Sequence, residues 1–161
     1  RVHGSKPKYY HHVIGYNSRL DSIQAAVLNV KLKYIDEWNK MRINNAKFYN
    51  KTLKDIEGLE IPKIPLKSKH VFNQYTLKVG DGHRDNLQKF LAKNNISTAI
   101  YYPLPLHLQP CFSYLGYDEG SIPNSEMVCQ EVLSTPVFPE MRKEELEYVS
   151  SNIININKKV V

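Results

Sequence analysis

Several features that define common protein classes are missing from this sequence of 161 residues. No apolar run approaches the length of about 20 residues that a membrane-spanning helix needs. The first eight residues carry charges with no apolar stretch behind them, so no secretory signal is expected there. The chain also begins without methionine, which suggests an excised piece or a processed product.

The common catalytic and phosphate-binding motifs are missing as well. The sequence has no GxGxxG or Walker pattern, no GxSxG nucleophile turn and no HExxH zinc motif. Its two cysteines, Cys111 and Cys129, lack metal-site spacing and fit reduced thiols in a cytosolic protein, although a disulfide stays possible. None of the six histidines pairs with a cysteine or carboxylate at ligand spacing, so we expect no metal site.

What the sequence does contain is the composition of a soluble globular domain with an excess of positive charge. Hydrophobic residues make up 42% and charged residues 24%, and the net charge is +6. That sign is compatible with nucleic acid, an anionic membrane or a phosphorylated small molecule. The basic residues are scattered, however, and no nucleic-acid-reading motif accompanies them. We therefore expect neither a nucleic-acid nor a membrane partner. A basic nucleic-acid-binding domain is the least favoured of the three functions considered in this subsection.

The first part of the chain divides into a loop and a long helix. Residues 1–17 contain a proline and two glycines without helical periodicity, which predicts a loop with one short extended stretch. Residues 18–55 contain neither proline nor glycine, and Ser18 followed by Asp21 fits a capping box. Apolar residues then recur at helical spacing, which predicts one long amphipathic helix over 18–55, bent or interrupted near 34–38. These residues are Leu20, Ile23, Val27, Val30, Tyr34, Trp38, Met41 and Phe48.

The remainder, 56–161, alternates between strand and helix patterns. Strands are predicted at 70–79, 96–102 and 135–139, and helices from Asp85, over 121–133 and over 140–156. Prolines 103, 105 and 110 force the stretch after the second strand into a loop. This order predicts an α+β fold, an α/β sandwich with helices against a small sheet.

Two clusters of side chains can bind a ligand. Tyr16, Asn17 and Arg19 lie at the start of the long helix, where free N–H groups, an amide and a guanidinium suit an anion. The alternative is plain capping by Ser18 with a solvated Arg19.

The second cluster lies in the proline-rich loop. Tyr101, Tyr102, His107 and Gln109 offer flat ring faces and hydrogen-bonding groups, which suit a polar ring such as a sugar or a nucleobase. The alternative is a rigid structural turn with tyrosines in the core.

Several sequence blocks resemble the DegT/StrS-type sugar aminotransferases, in family order over nearly the whole chain. The blocks are GYNSRLD at 15–21, IQAA at 23–26, VKLKYIDEWN at 30–39 with Arg42, FNQYT at 72–76, ISTAIYYP at 96–103, LHLQP at 106–110, YLGY at 114–117 and LSTPVFP at 133–139. The resemblance implies the C-terminal small domain of a fold-type-I transferase dependent on pyridoxal 5'-phosphate (PLP), over 56–161. The end of the large PLP domain would then occupy 1–17, and the connecting helix 18–55.

The resemblance also implies a cytoplasmic homodimer with shared active sites, which moves an amino group from glutamate to a nucleotide-linked keto sugar. The family's Schiff-base lysine lies in a Ser-Phe-x-x-x-Lys block, which this sequence lacks, so we assign no catalytic residue and expect the chain alone to be inactive. The wording of the GYNSRLD block is more similar to members acting on 3-keto than on 4-keto sugars. Such products serve surface polysaccharide or amino-sugar biosynthesis.

The resemblance also implies roles for six positions, three at the helix start and three in the proline-rich loop. Asn17 resembles the residue that reaches the PLP phosphate of the partner subunit, and Tyr16 and Arg19 resemble neighbouring substrate-binding positions. Tyr101, Tyr102 and His107 match the loop that lines the nucleotide-sugar pocket, although many members have His-Tyr-Pro where this chain has Tyr-Tyr-Pro. A family member that keeps these surfaces for regulation, without catalysis, is the second alternative.

Overall fold

A computed structural model describes residues 15–18 and 20–160, apart from the side chains of Cys111 and 157–160. Two compact units make up the chain, Arg1–Glu37 and Trp38–Val161. The predicted limits of the large-domain end, connecting helix and small domain stay predictions. Among the described residues, no helix combines the length and apolarity that crossing a membrane requires.

The long helix predicted over 18–55 is two helices, α1 (Ser22–Leu32) and α2 (Ile35–Leu53). The break at residues 33–34 confirms the predicted interruption. Capping by Ser18 was a wrong prediction, because Asp21 is the N-cap residue and its Oδ1 accepts the N–H of Gln24 at 2.9 Å. The carboxylate satisfies a free N–H group of the first turn, so the helix begins one turn later than the capping box indicated.

The apolar stripe of the sequence is exposed in α1, where no residue is buried. Ile23, for example, is 77% exposed. In α2 the buried residues are Asn45, Ala46, Tyr49 and Leu53, whereas the predicted stripe residues Met41 and Phe48 are half-buried. The buried face of α2 includes polar groups because they have hydrogen-bond partners elsewhere in the second unit.

A three-stranded antiparallel sheet forms the centre of the second unit, in the order β1 (Leu59–Glu60), β2 (Tyr75–Val79), β3 (Val132–Thr135). Leu77 pairs with Leu133, which fixes the register of the two longer strands. In β2 the buried residues alternate with half-buried ones, as expected when one face meets the core. The strand predicted over 70–79 is shorter because Phe72 has a φ of 52°, outside the extended region.

Two predicted strands are wrong. Of 96–102, only Ala99 pairs, through a single bridge to Ser134. The strand predicted over 135–139 lies earlier, at β3, and correspondingly the helix predicted over 121–133 is shorter, α4 (Pro123–Glu131). Prolines 136 and 139 lack the N–H that a strand would use.

Side chains of α2 bind the segment that follows β3. Arg42 Nη1, Asn45 Nδ2 and Tyr49 Oη donate to the carbonyl oxygens of residues 137, 138 and 136, at 3.4, 2.8 and 2.9 Å. The three donors lie on one face of the helix, at spacings of three and four. They satisfy carbonyl groups that have no sheet partner, which explains why this segment is ordered without being a strand.

Two further helices complete the core. α3 (Arg84–Lys93) contacts β3 and α5 (Lys143–Val160). The helix predicted from Asp85, with that residue as its cap, begins one residue earlier: His83 holds the N-cap position and Asp85 lies in the first turn. The helix predicted over 140–156 begins at Lys143; the apolar residues expected on one of its faces, Leu146, Val149 and Ile153, are buried, and Ile154 is half-buried. The whole is an α+β fold with helices on a small antiparallel sheet, as the sequence predicted.

Candidate functional site

The second unit contains a cavity of about 840 Å³, called here the large cavity. Its walls are the proline-rich loop, the two short 3₁₀ helices Leu106–Leu108 and Pro110–Leu115, and α4. Most of the lining is apolar. The lining side chains with polar atoms are Tyr101, Tyr102, His107, Gln109, Tyr117, Ser125 and Cys129.

The structure brings together three of the residues predicted to bind substrate. Tyr101, Tyr102 and His107 all line the large cavity. Tyr102 is 71% exposed, whereas His107 is only 9% exposed. The alternative prediction, tyrosines packed in the core, is wrong, because Tyr101 and Tyr102 are both exposed and their rings pack edge-on against each other at a centroid distance of 5.9 Å. A ring that is partly exposed at a cavity wall can stack on a flat ligand.

His107 is held from two sides. Its Nε2 lies 2.9 Å from Oε1 of Glu126, and its ring packs edge-on against the ring of Tyr117 at a centroid distance of 6.2 Å. The same glutamate accepts the backbone N–H groups of Gly120 and Ile122, at 2.8 and 3.1 Å. Glu126 therefore connects the 3₁₀ helix at 106–108 with the turn that leads into α4.

The electrostatics of this connection favour an ionised glutamate. The hydrogen bond from the Gly120 N–H holds the pKa of the Glu126 carboxyl below its ordinary range. Ile122 and His107 lower this pKa further by smaller amounts, whereas burial opposes the shift. At neutral pH the group is a carboxylate, which only accepts hydrogen bonds.

The first predicted cluster lies in the other unit. Tyr16 is 84% exposed and Asn17 is also exposed. Arg19 lies outside the described residues. Their predicted roles, Asn17 on a cofactor phosphate and Tyr16 and Arg19 on substrate, stay predictions.

A smaller cavity of about 300 Å³ lies beside the sheet and also has Tyr101 in its wall. Its lining includes the polar side chains of Arg42, Asn73 and Gln74. Arg42 is half-buried, and its hydrogen bond to the carbonyl of Val137 indicates a structural role.

The chemistry available at the large cavity is binding. Among the described residues, neither a lysine nor a carboxylate lines it, so it offers ring faces, a histidine and amide or hydroxyl groups. The described part of the chain also has no group of three or more side chains suited to a metal ion.

Sequence reasoning missed Glu126. Its partner His107 is 19 residues away along the chain, and no local pattern connects the two. A signal was nevertheless present, because Pro123 opens a helix and an acidic residue in the first turn often accepts backbone N–H groups there.

Comparison with known proteins agrees with the fold. The chain matches the model of the DegT/DnrJ/EryC1/StrS aminotransferase family over residues 1–154. It is 50% identical over 155 residues to the pleiotropic regulatory protein of Geobacillus stearothermophilus, covering 95% of this chain and 41% of that protein. It is 38% identical over 149 residues to the dTDP-3-amino-3,6-dideoxy-alpha-D-galactopyranose transaminase of Aneurinibacillus thermoaerophilus, covering 92% and 40%.

Among solved structures, S. venezuelae DesV in complex with a ketimine intermediate superposes with a TM-score of 0.86 at 33% identity. The superposition covers 97% of this chain and 42% of DesV. The chain thus spans about two fifths of the length of the curated relatives it matches. It belongs to the DegT/DnrJ/EryC1/StrS aminotransferase family.

Proposed function

We propose that this chain is the C-terminal part of a PLP-dependent aminotransferase that moves an amino group from glutamate to a nucleotide-linked keto sugar. The observation that carries the proposal is the large cavity. In a chain of this family, the three side chains predicted to bind the nucleotide sugar converge on one cavity of about 840 Å³. That volume is within the usual range of about 300–1,000 Å³ for small-molecule sites.

The chain's own residues bind and orient the substrate in this proposal. The exposed faces of Tyr101 and Tyr102 stack on a flat ring of the nucleotide sugar, and His107 supplies a fixed polar contact beside them. The apolar remainder of the wall excludes water from the bound part of the substrate.

PLP, when bound, supplies the electron sink of transamination. The residue of this chain that we assign to it is Asn17, in a contact with the cofactor phosphate of a partner subunit. The exposed amide of Asn17 fits that role, because it can donate a hydrogen bond to a phosphate oxygen of another chain. This contact makes a homodimer with shared active sites part of the proposal. We place the enzyme in the cytoplasm, in surface polysaccharide or amino-sugar biosynthesis.

We further propose that the keto group is at position 3 of the sugar. The support is the name of the relative from Aneurinibacillus thermoaerophilus, a transaminase of a 3-amino sugar, together with the GYNSRLD block.

A regulatory role without catalysis is the second candidate, and one observation favours it. The relative that is 50% identical is named a pleiotropic regulatory protein. Such a protein can keep the cavity and use it to sense a sugar nucleotide.

Amination by the full-length protein separates the two candidates. The purified protein is incubated with PLP, glutamate and a panel of nucleotide-linked 3-keto and 4-keto sugars, and 2-oxoglutarate and the amino sugar are measured. The enzyme reading predicts turnover with a 3-keto sugar. Tight binding of a sugar nucleotide without turnover of any panel member supports the regulatory reading and contradicts the enzyme reading.

The chain by itself tests the assignment of the missing lysine. We expect no stoichiometric absorbance of a lysine-bound cofactor when the chain is mixed with PLP, because the Ser-Phe-x-x-x-Lys block is absent from its sequence. Such an absorbance at one equivalent of PLP would mean that a lysine of this chain has the catalytic role.

A further inference from the structure

The carboxylate of Glu126 connects parts of the large-cavity wall without lining the cavity itself. Its Oε1 binds His107 Nε2 and the N–H of Ile122, and its Oε2 binds the N–H of Gly120. His107 and Ile122 line the cavity, whereas Glu126 lies behind them. Any influence of this glutamate on a ligand in the cavity therefore acts through its partners.

The connection is shielded from solvent. The side chains of His107 and Glu126 are 6% and 13% exposed. Charge-assisted hydrogen bonds in such surroundings are stronger than exposed ones, and the loss of one partner leaves a buried polar group unsatisfied. The pair therefore restricts both the position of the imidazole and the path of residues 120–122.

The carboxylate also fixes which nitrogen of His107 carries hydrogen. A carboxylate has no hydrogen to donate, so Nε2 must be the donor in this contact. In the neutral imidazole the other nitrogen, Nδ1, is then an acceptor. Because Nε2 is occupied by Glu126, Nδ1 is the remaining polar ring atom of His107, whose side chain lines the cavity.

We propose that Glu126 is a positioning residue for the large cavity: it holds His107 with Nε2 as the donor, so that Nδ1 accepts a hydrogen bond from an O–H or N–H group of the nucleotide sugar. This inference rests on the proposed function for the identity of the ligand. It adds Glu126 to that site and specifies that His107 accepts, and does not donate, the hydrogen bond with the ligand.

The variant Glu126→Gln tests the polarity with little change in shape. With its NH₂ in the place of Oε1, the amide donates to Nε2 of His107 and moves the ring hydrogen to Nδ1. Its oxygen then still accepts the N–H of Gly120, whereas the N–H of Ile122 loses its acceptor. Nitrogen-15 NMR of histidine-labelled full-length protein measures this directly. We expect the Nε2–H form of His107 in the wild-type protein and the Nδ1–H form in the variant.

Kinetics of the full-length protein test the consequence for the substrate. Loss of the hydrogen bond to Nδ1 should raise KM for the nucleotide sugar by about fivefold, with KM for glutamate within about twofold of wild type. Glu145→Gln is the matched control, because Glu145 accepts the backbone N–H of Arg142 at 2.8 Å at the start of another helix. We expect wild-type kinetics from it. A purely structural role of Glu126 would instead reduce the amount of active enzyme for both substrates.

A double-mutant cycle completes the test. If the two residues act as a unit, Glu126→Gln combined with His107→Gln raises KM no further than the more affected single variant. Independent, multiplying effects would overturn the proposal, as would an unchanged KM in Glu126→Gln that shows the altered tautomer. Thermal unfolding of each variant confirms that it is folded. Should Glu126→Gln fail to fold, His107→Gln alone must still raise KM for the nucleotide sugar without affecting KM for glutamate, and an unchanged KM would overturn the proposal.

Failure of the proposed function can be distinguished from failure of the positioning role alone. If the wild-type protein turns over none of the nucleotide-linked keto sugars, both the function and the positioning role are overturned. If wild-type turnover is normal and only the predicted KM effect is missing, the positioning role alone is overturned.

Discussion

Removing one hydroxyl group, in Tyr49→Phe, tests how α2 holds the segment after β3. Tyr49 is fully buried, and its hydroxyl donates to the carbonyl of Pro136 at 2.9 Å. Burial, with a smaller effect of Tyr75, raises the pKa of the Tyr49 phenol well above its ordinary value, so the hydroxyl stays a donor through the neutral range. The variant keeps the ring, whose centroid lies 5.0 Å from that of Tyr75.

The expected loss in the free energy of unfolding follows from the groups that the variant leaves without a partner. Packing of the ring is retained, so the loss is that of one hydrogen bond plus a buried carbonyl without this donor, about 1–2 kcal/mol. Urea unfolding of the chain at low concentration should show a lower midpoint at an unchanged slope. Tyr148→Phe is the control: its hydroxyl donates to the Asn94 carbonyl at 3.2 Å, but the residue is 50% exposed, so we expect less than about 0.5 kcal/mol. Equal losses in the two variants would refute the reasoning.

Three further predictions concern the cavity, the glutamate and α1. Tyr102→Ala in the full-length protein should raise KM for the nucleotide sugar about tenfold, since one stacking contact contributes about 1–3 kcal/mol, while Tyr148→Ala leaves it unchanged; equal KM values would contradict stacking. Because the folded-state pKa of Glu126 is depressed, its contribution to stability is present above its unfolded pKa of about 4.3 and lost as pH falls through the folded value. The stability difference between wild type and Glu126→Gln, from urea unfolding at several pH values, should therefore shrink below about pH 4, and a constant difference would contradict it. The isolated chain should self-associate through the exposed apolar residues of α1, and Ile23→Lys with Leu32→Lys should reduce this; a wild-type monomer by light scattering at high concentration would count against it.

The parts of the fold that the sequence predicted are those with local periodicity. The core face of α5 follows from Leu146, Val149 and Ile153 at helical spacing, and the alternation in β2 follows from β-branched and aromatic residues. The break between α1 and α2 was also predicted from the pattern. The N-cap of α1, however, was assigned to Ser18 and is Asp21.

What the sequence did not predict depends on contacts between distant positions. The hydrogen bonds from α2 to the segment after β3 join residues 87 to 95 positions apart. A strand was predicted there from local propensity, because threonine, valine and phenylalanine favour strands. Propensity carries no information on the hydrogen bonds from α2.

The candidate site shows the same division. Tyr101, Tyr102 and His107 were predicted from a compact cluster and a family resemblance, and they do line one cavity. Glu126 was missed because its connection to His107 is made only when the loop folds back over α4. Which nitrogen of His107 carries the hydrogen therefore follows from the three-dimensional contact with Glu126 and not from the sequence.

The central claim is that the large cavity binds the nucleotide sugar, and hydrogen exchange tests it most directly. The full-length protein is loaded with PLP and its amide exchange is followed by mass spectrometry, with and without a saturating nucleotide-linked keto sugar. We predict slower exchange at 101–109 and 117–125 on binding, with no change along α5. Turnover of the sugar without protection of those two segments would contradict it.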